Sequence, residues 1–546
     1  MRKHILSAVL SAALLFSALP VSAEGGSQVT DSASTSETQR VSITTSGPIS
    51  ETPDHPGYDD VVGHWAAGAV GRWKNLGVLD GTESNFYPDQ KITRGEVAEL
   101  LARILHYKTA SEIKFDDTRG HKYETAIAKL RAAGVMLGNG ENLALPDDSV
   151  TREEAAVLIA RAFGFDPNGK DVASYIGKYA DYGTISDWAQ GYILAMTAAG
   201  FLNGSDNGCF LPKDSLTRAE AITILNNMIT TYIDKPGEYN YRPFEGLANF
   251  VIIASDDVEI LYYDIGGDII LTEGVDYETV IFKSCNHYGK IFEYTKDGFV
   301  RRLKAASYIV EVNEHLPVCS YDQDLFYKDE KGIMHYRDES RPYYFGVDVS
   351  VYQGDIDWKK LKEEGVYFAF IRAGYRGYET GSLNTDANFH KNMQGAIDAG
   401  IKVGVYFFSQ ALNAQEAYEE AMYVLDLIKD YEVTFPVVFD WETIGSATAR
   451  TNKIEKENLC RAANVFCSVV EGAGYIPMVY CNQSVSLLYY ELSRIDAFDF
   501  WYAEYKDIPT FYYDFDIWQY GATGTFEGVP NAQVDVNISF VDYSKR

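Results

Sequence analysis

From Tyr343 onward, short apolar runs alternate with longer stretches whose apolar residues recur at helical spacing. The runs read YYFGVDVS, YFAFIRAG, KVGVYFFS, FPVVFDWE, IPMVYCN, DFWYAEY, FDIWQYG and VDVNIS. Runs of this length, apolar on both faces, predict strands of a largely parallel sheet covered on both sides. Helical stretches such as DANFHKNMQGAIDAG and AQEAYEEAMYVLDLIKD separate the first five, and the last three follow with shorter connections. Eight strands that lose their helices near the end predict a (β/α) barrel, the α/β part of a multidomain fold.

Upstream, three segments share one grammar. An aromatic and an Asp (YDD, FDD, YAD) precede a helical stretch. A Gly-x-x-x-Gly turn follows (Gly77 and Gly81, Gly134 and Gly138, Gly200 and Gly204), then a Pro, a Thr-Arg pair, an acid and a second apolar helix. The Thr caps that helix, and Glu96, Glu154 and Glu220 complete a capping box. Capping does not explain Arg94, Arg152 and Arg218, which sit in a first helical turn where the macrodipole disfavours a cation. Either they pair with solvent or a neighbouring repeat, or they form cationic forks for an anionic ligand beside helix N-termini. Recurrence at three equivalent positions favours the second reading.

Between these parts, residues 235–340 hold short apolar runs such as NFVIIAS and DIILTEG, bounded by Gly and Asp, with a hairpin expected around Asp297-Gly298. This predicts a small β-rich spacer. At the start, Arg2, Lys3 and His4 precede ILSAVLSAALLFSAL and the small residues Val21-Ser22-Ala23. That is the form of a secretory signal peptide over 1–23; the apolar run is short for a span of about 20 residues. Residues 24–57 are rich in Ser, Thr, Gly and Glu and predict a flexible linker. The expected organisation is repeats at 58–110, 111–168 and 175–232, the spacer at 235–340 and the barrel domain at 341–546, in an exported protein with no membrane span after signal removal.

The chain of 546 residues exceeds what one core supports. Its net charge of −30 argues against nucleic-acid binding, and an anionic polymer must be held by local cations. The six cysteines show no metal or redox spacing. Cys285 and Cys319 share one region and are the candidate disulfide, against free thiols as the other reading.

Chemistry gathers at the barrel's strand ends, where such folds place function. Asp440 and Glu442 in FPVVFDWE are two apart and face the same way. Asp348, Gln519 and Tyr520, and Asp535 and Asn537, close or open other strands. Acids so crowded suit a hard cation or acid–base work on a sugar, because each raises the pKa of the others. No histidine accompanies them, which disfavours a transition metal; no metal or cofactor is expected. Tyr375, Tyr406, Trp441, Trp501, Trp518 and Tyr520 offer flat faces for pyranose rings, or pack the core instead.

Two resemblances follow from these motifs. TRGE, TREE and TRAE, with HWA upstream, resemble S-layer homology domains, which bind secondary cell-wall polysaccharides, often pyruvylated, in bacterial envelopes. The resemblance implies that Arg94, Arg152 and Arg218, with Trp65 and Trp188, contact such a polymer; the second repeat carries Tyr123 in place of the tryptophan. FGVDVSVYQGDIDW, FAFIRAGY, AGIKVGVYFFS, VVFDWE, WYAEY, IWQYG and VDVN resemble the glycoside hydrolase family 25 muramidases. That resemblance implies a flattened (β/α)5β3 TIM-like barrel cleaving the β-1,4 bond from N-acetylmuramic acid to N-acetylglucosamine in peptidoglycan. It implies Glu442 as general acid/base and Asp440 orienting an acetamido group that acts as internal nucleophile. Asp348 and Asp535 would tune charge and hold substrate. Gln353, Arg372, Tyr375, Tyr406, Trp501, Tyr505, Trp518 and Gln519 are the candidate substrate contacts. Trp441 fills a position often aliphatic in that family. The expected protein is a wall-anchored peptidoglycan hydrolase at the cell envelope; the alternatives are a structural envelope protein that binds glycan without cleaving it, and a metal-dependent hydrolase.

Overall fold

The computed structural model describes residues 42–43, 57–80, 83–169, 172–205, 207–240, 249–262, 264–530 and 532–546. The expected signal peptide lies outside the described residues, as does the linker apart from 42–43 and 57. Residues 42–43 form a short strand, β1 (Ser42–Ile43), paired in parallel with Glu238 and Tyr239.

Among the described residues, six α-helices build the repeat region: α1 (Ala67–Asn75), α2 (Arg94–Ile104), α3 (Glu124–Ala132), α4 (Arg152–Ala162), α5 (Asp187–Ala198) and α6 (Arg218–Met228). Thr93, Thr151 and Thr217 cap α2, α4 and α6, each in a complete capping box with Glu96, Glu154 and Glu220. Residues entering these helices also pair between repeats: Thr93 with Ser149, Thr151 with Ser215, and Lys91 with Thr217. The third repeat thus closes back on the first.

The spacer is a short parallel β-solenoid, a more specific architecture than β-rich. Its strands are β2 (Ile229–Ile233), β3 (Gly237–Asn240), β4 (Phe250–Ile253), β5 (Val258–Leu261), β6 (Asp264–Ile265), β7 (Ile269–Leu271), β8 (Val280–Lys283) and β9 (Asn286–His287), followed by β10 (Ile291–Thr295), β11 (Gly298–Ala305) and β12 (Tyr308–Glu311). Successive coils lay β2, β4, β7 and β10 on one face, β3, β5 and β8 on a second, and β6 and β9 on a third, all in parallel. Like residues stack: Ile252 on Ile270, Val258 on Val280, Ile260 on Phe282. The expected hairpin joins β10 to β11, with Thr295 opposite Gly298. Phe250, Ile252, Ile270 and Tyr294 share the core of the helical repeats, and Leu303, Ala305 and Leu316 share that of the C-terminal region. Cys285 Sγ donates to the Ile260 carbonyl at 3.3 Å and Cys319 is a free thiol, so the candidate pair is not bridged.

A hairpin of β13 (Phe326–Lys328) and β14 (Met334–Tyr336) precedes the barrel. Eight strands close the barrel: β15 (Tyr344–Val349), β16 (Phe368–Arg376), β18 (Lys402–Ser409), β19 (Val437–Trp441), β20 (Pro477–Asn482), β21 (Asp499–Ala503), β22 (Ile517–Gly524) and β23 (Val534–Ser539); a short β17 (Leu383–Thr385) lies on β16. Closure comes from β15, which pairs with both β16 and β23. Crossover helices α7 (Trp358–Glu363), α8 (Phe389–Asp398), α9 (Ala414–Ile428), α10 (Lys456–Gly472) and α11 (Gln483–Leu488) follow the first five barrel strands. Among the described residues the last two connections carry no α-helix, and β23 runs antiparallel to both neighbours. Phe368, Phe370, Phe435, Val438, Met478, Trp501 and Ile517 fill the barrel interior, while the helices bury the outward-facing Val347, Val403, Val405, Val437 and Val479.

Candidate active site

Strand parity explains the site. Above Val438 the next inward position on β19 is Asp440, with Glu442 following just beyond the strand. On β15 the inward set ends at Asp348, and on β16 it passes through Phe370 to Arg372. Because β23 is antiparallel, it starts at the mouth, and its first inward residue, Asp535, pairs directly with Asp348. A layer of acids therefore rests on a floor of apolar side chains.

Asp348 and Asp440 are buried. Asp348 Oδ2 accepts from Gln519 Nε2 and Asn537 Nδ2, both at 2.8 Å. The two amides are themselves oriented: Gln519 Oε1 accepts from the Tyr480 and Tyr505 hydroxyls, and Asn537 Oδ1 from Trp501 Nε1. Asp348 lies directly across the β15–β23 ladder from Asp535. Burial, then the Asp535 charge, raise Asp348 well above the carboxylate range. Burial, then Glu442 and Asp348, do the same to Asp440, against the pull of Arg372. Burial, then Asp535, push Glu442 up to about 7. Among the described residues, Asp440 Oδ1 is buried without a hydrogen-bond partner.

Other groups hold these acids in place. Gln410 donates to the Glu442 carbonyl at 2.9 Å and accepts from Thr451 Oγ1 at 2.7 Å. Arg372 is fixed by Asp386, with Nε and Nη2 at 2.8 and 2.7 Å from Oδ2, and its guanidinium lies over the rings of Tyr352 and Tyr375. Tyr352, Tyr375 and Tyr505 are exposed. Tyr406 is half-buried and edge-on to Trp501. Gln353 caps the short turn after β15, receiving the Ser350 N–H and donating to the Gln533 carbonyl.

The structure brings Asp348, Arg372, Tyr406, Asp440, Glu442, Trp501, Tyr505, Gln519 and Asp535 to one end of the barrel. It does not bring Trp518. Adjacent strand residues face opposite ways, so with Gln519 inside, Trp518 and Tyr520 point out. Trp518 packs on Phe326 of the β13–β14 hairpin with centroids 5.4 Å apart, donates to the Glu504 carbonyl and is fully buried. It is corrected from a substrate contact to a wall residue. Trp441 likewise faces outward, against Tyr489. Trp501 is a floor residue, stacked on Phe370. Sequence reasoning missed Tyr352, Asp386, Gln410 and Tyr480. Tyr480 was accessible by parity, two after the inward Met478; Asp386 carries no local signal.

In the repeats, each arginine bridges to the next repeat. Nε of Arg94, Arg152 and Arg218 donates to the carbonyls of Ala144, Phe210 and Phe86, each at 2.8 Å. Their Nη1 atoms face Glu154 at 2.8 Å, Glu220 at 3.9 Å and Glu96. The accepting carbonyls sit in turns held by Asp60, Asp117 and Asp181, whose carboxylates each take two backbone N–H groups. Those turns need a left-handed residue, at Tyr87, Leu145 and Leu211. Asp, Arg and capping Glu therefore form one cyclic network of three junctions. Trp65 and Trp188 are exposed beside α1 and α5.

The fold and site are those of a closed α/β barrel with carboxylates gathered at its mouth. Residues 347–529 match the glycosyl hydrolases family 25 model, and residues 57–98, 114–156 and 178–222 match the S-layer homology domain. The chain thus carries three S-layer homology domains followed by a glycosyl hydrolase family 25 domain. It is 30% identical over 175 residues to an amylopullulanase of Thermoanaerobacterium thermosulfurigenes, covering 32% of this chain and 9% of that protein. Among solved structures, a family 25 glycosyl hydrolase from Bacillus anthracis shares 25% identity at a TM-score of 0.32, covering 38% of this chain and 93% of that one. The modular autolysin LytC from Streptococcus pneumoniae shares 22% at a TM-score of 0.33, covering 45% and 60%.

Proposed function

We propose that the protein is a wall-anchored peptidoglycan hydrolase that cleaves the β-1,4 bond between N-acetylmuramic acid and N-acetylglucosamine. The observation that carries this is Glu442, held up to about 7 in a mouth it shares with Asp348, Asp440 and Asp535. A carboxyl group protonated near neutral pH can donate to a glycosidic oxygen. The barrel is read as the flattened (β/α)5β3 form.

In the proposed reaction Glu442 donates its proton to the departing N-acetylglucosamine O4 as the C1–O4 bond breaks. The muramic acid acetamido oxygen attacks C1, giving a bicyclic oxazolinium. Asp440 accepts from the acetamido N–H through Oδ1 and orients the group for that attack. Glu442, now a carboxylate, takes a proton from water, whose oxygen opens the ring at C1 and leaves reducing N-acetylmuramic acid. Asp348 and Asp535 set the charge of the mouth. Gln353, Arg372, Tyr375, Tyr406, Tyr505 and Gln519 contact the glycan, over the Trp501 floor.

The repeats, assigned to 58–110, 111–168 and 175–232, hold the enzyme to a secondary wall polysaccharide through Arg94, Arg152, Arg218, Trp65 and Trp188. The spacer, assigned to 235–340 and holding most of the solenoid, joins them to the catalytic domain at 341–546. Export by the leader at 1–23 puts the protein outside the cell at the wall. Tethering beside the polymer raises the enzyme's effective concentration there. No helix among the described residues is long and apolar enough to cross a membrane.

The test pairs wild type with Glu442→Gln on purified peptidoglycan, with reducing-end and mass analysis of soluble products. Wild type should release fragments ending in reducing N-acetylmuramic acid, and the variant should lose activity by at least about 100-fold. Binding without any release by wild type would make the barrel a glycan-binding module instead.

A further inference from the structure

The three repeat junctions differ at one position. The residue after each bridging arginine lies in the first turn of α2, α4 or α6 and is Gly95, Glu153 or Ala219. A side chain here points across the junction: a Cβ on Gly95 would lie 2.3 Å from Tyr123 Cδ2 of the next repeat. In the second junction a full carboxylate fills that space. Glu153 is 4% exposed, against an expectation that an acid at a helix start faces water. Its Oε2 accepts the Ser186 N–H at 3.1 Å, and its Oε1 accepts the Ser186 hydroxyl at 3.0 Å and an ion pair from Lys213. At the corresponding places the other two junctions hold a histidine and an aspartate, His121 with Asp147 and His64 with Asp89, and the residue after the arginine, Gly95 or Ala219, brings no carboxylate.

We propose that Glu153 closes the second junction to anionic sugar, so that the chain offers wall-polymer sites at its first and third junctions only. This rests on the reading of the repeats as polymer-binding. An acidic sugar entering the second junction meets a buried negative charge. To bind, it must take Lys213 and Ser186 away from Glu153 and leave that carboxylate buried and unpaired, which is strongly unfavourable. Gly95 and Ala219 impose no such competition. The arginine bridges recur at all three junctions, so they hold the ring together whether or not a junction binds, and the neighbouring residue sets which ones do.

The experiment is titration calorimetry of the full chain with a pyruvylated N-acetylhexosamine monosaccharide, in wild type, Glu153→Ala and Ala219→Glu, each checked for folding by thermal melting. Wild type should bind two equivalents. Glu153→Ala gives the second junction the residue of the third and should bind three; Ala219→Glu should drop to one. A folded Glu153→Ala with an unchanged count overturns the inference. Should that variant not fold, an unchanged count in Ala219→Glu overturns it equally. Wild type that binds neither the sugar nor purified walls removes the polymer reading itself, and this inference with it.

Discussion

Asp535 owes its influence to the direction of one strand. Because β23 enters from the mouth, its first inward carboxylate meets Asp348, the last on β15. After burial, Asp535 is the charge that keeps Glu442 protonated. Glu442 is also faced by Asp440, two residues before it, and by the Tyr480 and Tyr505 hydroxyls. Glu442 acts as an acid while protonated, so hydrolysis should fall as pH rises through about 7. Asp535→Asn removes one cause of the raised pKa. The basic limb of its pH–rate profile should move to lower pH by roughly one unit; a limb that stays or moves up would contradict the assignment. At this scale the sequence was partly legible. Asp440 and Glu442 were paired correctly by their spacing, yet the same parity rule sends Trp518 outward once Gln519 is inside. The cradle of Tyr480 and Asn537 around Gln519 and Asp348 joins residues far apart in sequence, and no local pattern announces it.

At the scale of elements, each barrel strand is apolar on both faces and the first five are followed by helix-period stretches, so all eight were readable from pattern alone. The solenoid was not. Its strands are two to five residues long before the closing hairpin, and its regularity lies in stacking between coils, as of Ile252, Ile270 and Phe292, rather than in any one segment. Isolated, such runs look like any buried strand. The stacking makes a prediction. Ile270 is buried, lies between β4 and β10 and contributes to the core shared with the repeats. Ile270→Ala leaves a cavity there and should cost about 2–5 kcal/mol. Hydrogen exchange should quicken across β4, β7 and β10 together, with the barrel strands unchanged. Quickening confined to β7 would mean that the coils are not cooperative.

Across the whole molecule, the order of parts was legible because repeats and strand-end motifs are local, while their physical continuity was not. The solenoid contributes to the cores on both sides of it, so anchor, spacer and barrel are packed in series. The chain also carries a net charge of −30. A protein so acidic should be repelled at long range by an anionic wall polymer, while Arg94, buried, and Arg218, half-buried, act only at contact in the first and third junctions. The two ranges separate with salt. The Debye length is about 30 Å at 0.01 M and about 8 Å at 0.15 M, so moderate salt screens the whole-molecule repulsion before it reaches partly buried contacts. Association with purified walls should therefore be faster at about 0.15 M than at about 0.01 M salt, the reverse of a cationic binder. A rate that falls steadily over that range, measured by stopped-flow or sedimentation of walls with the inactive Glu442→Gln chain, would place the driving force in long-range attraction and leave the junction arginines a structural role alone.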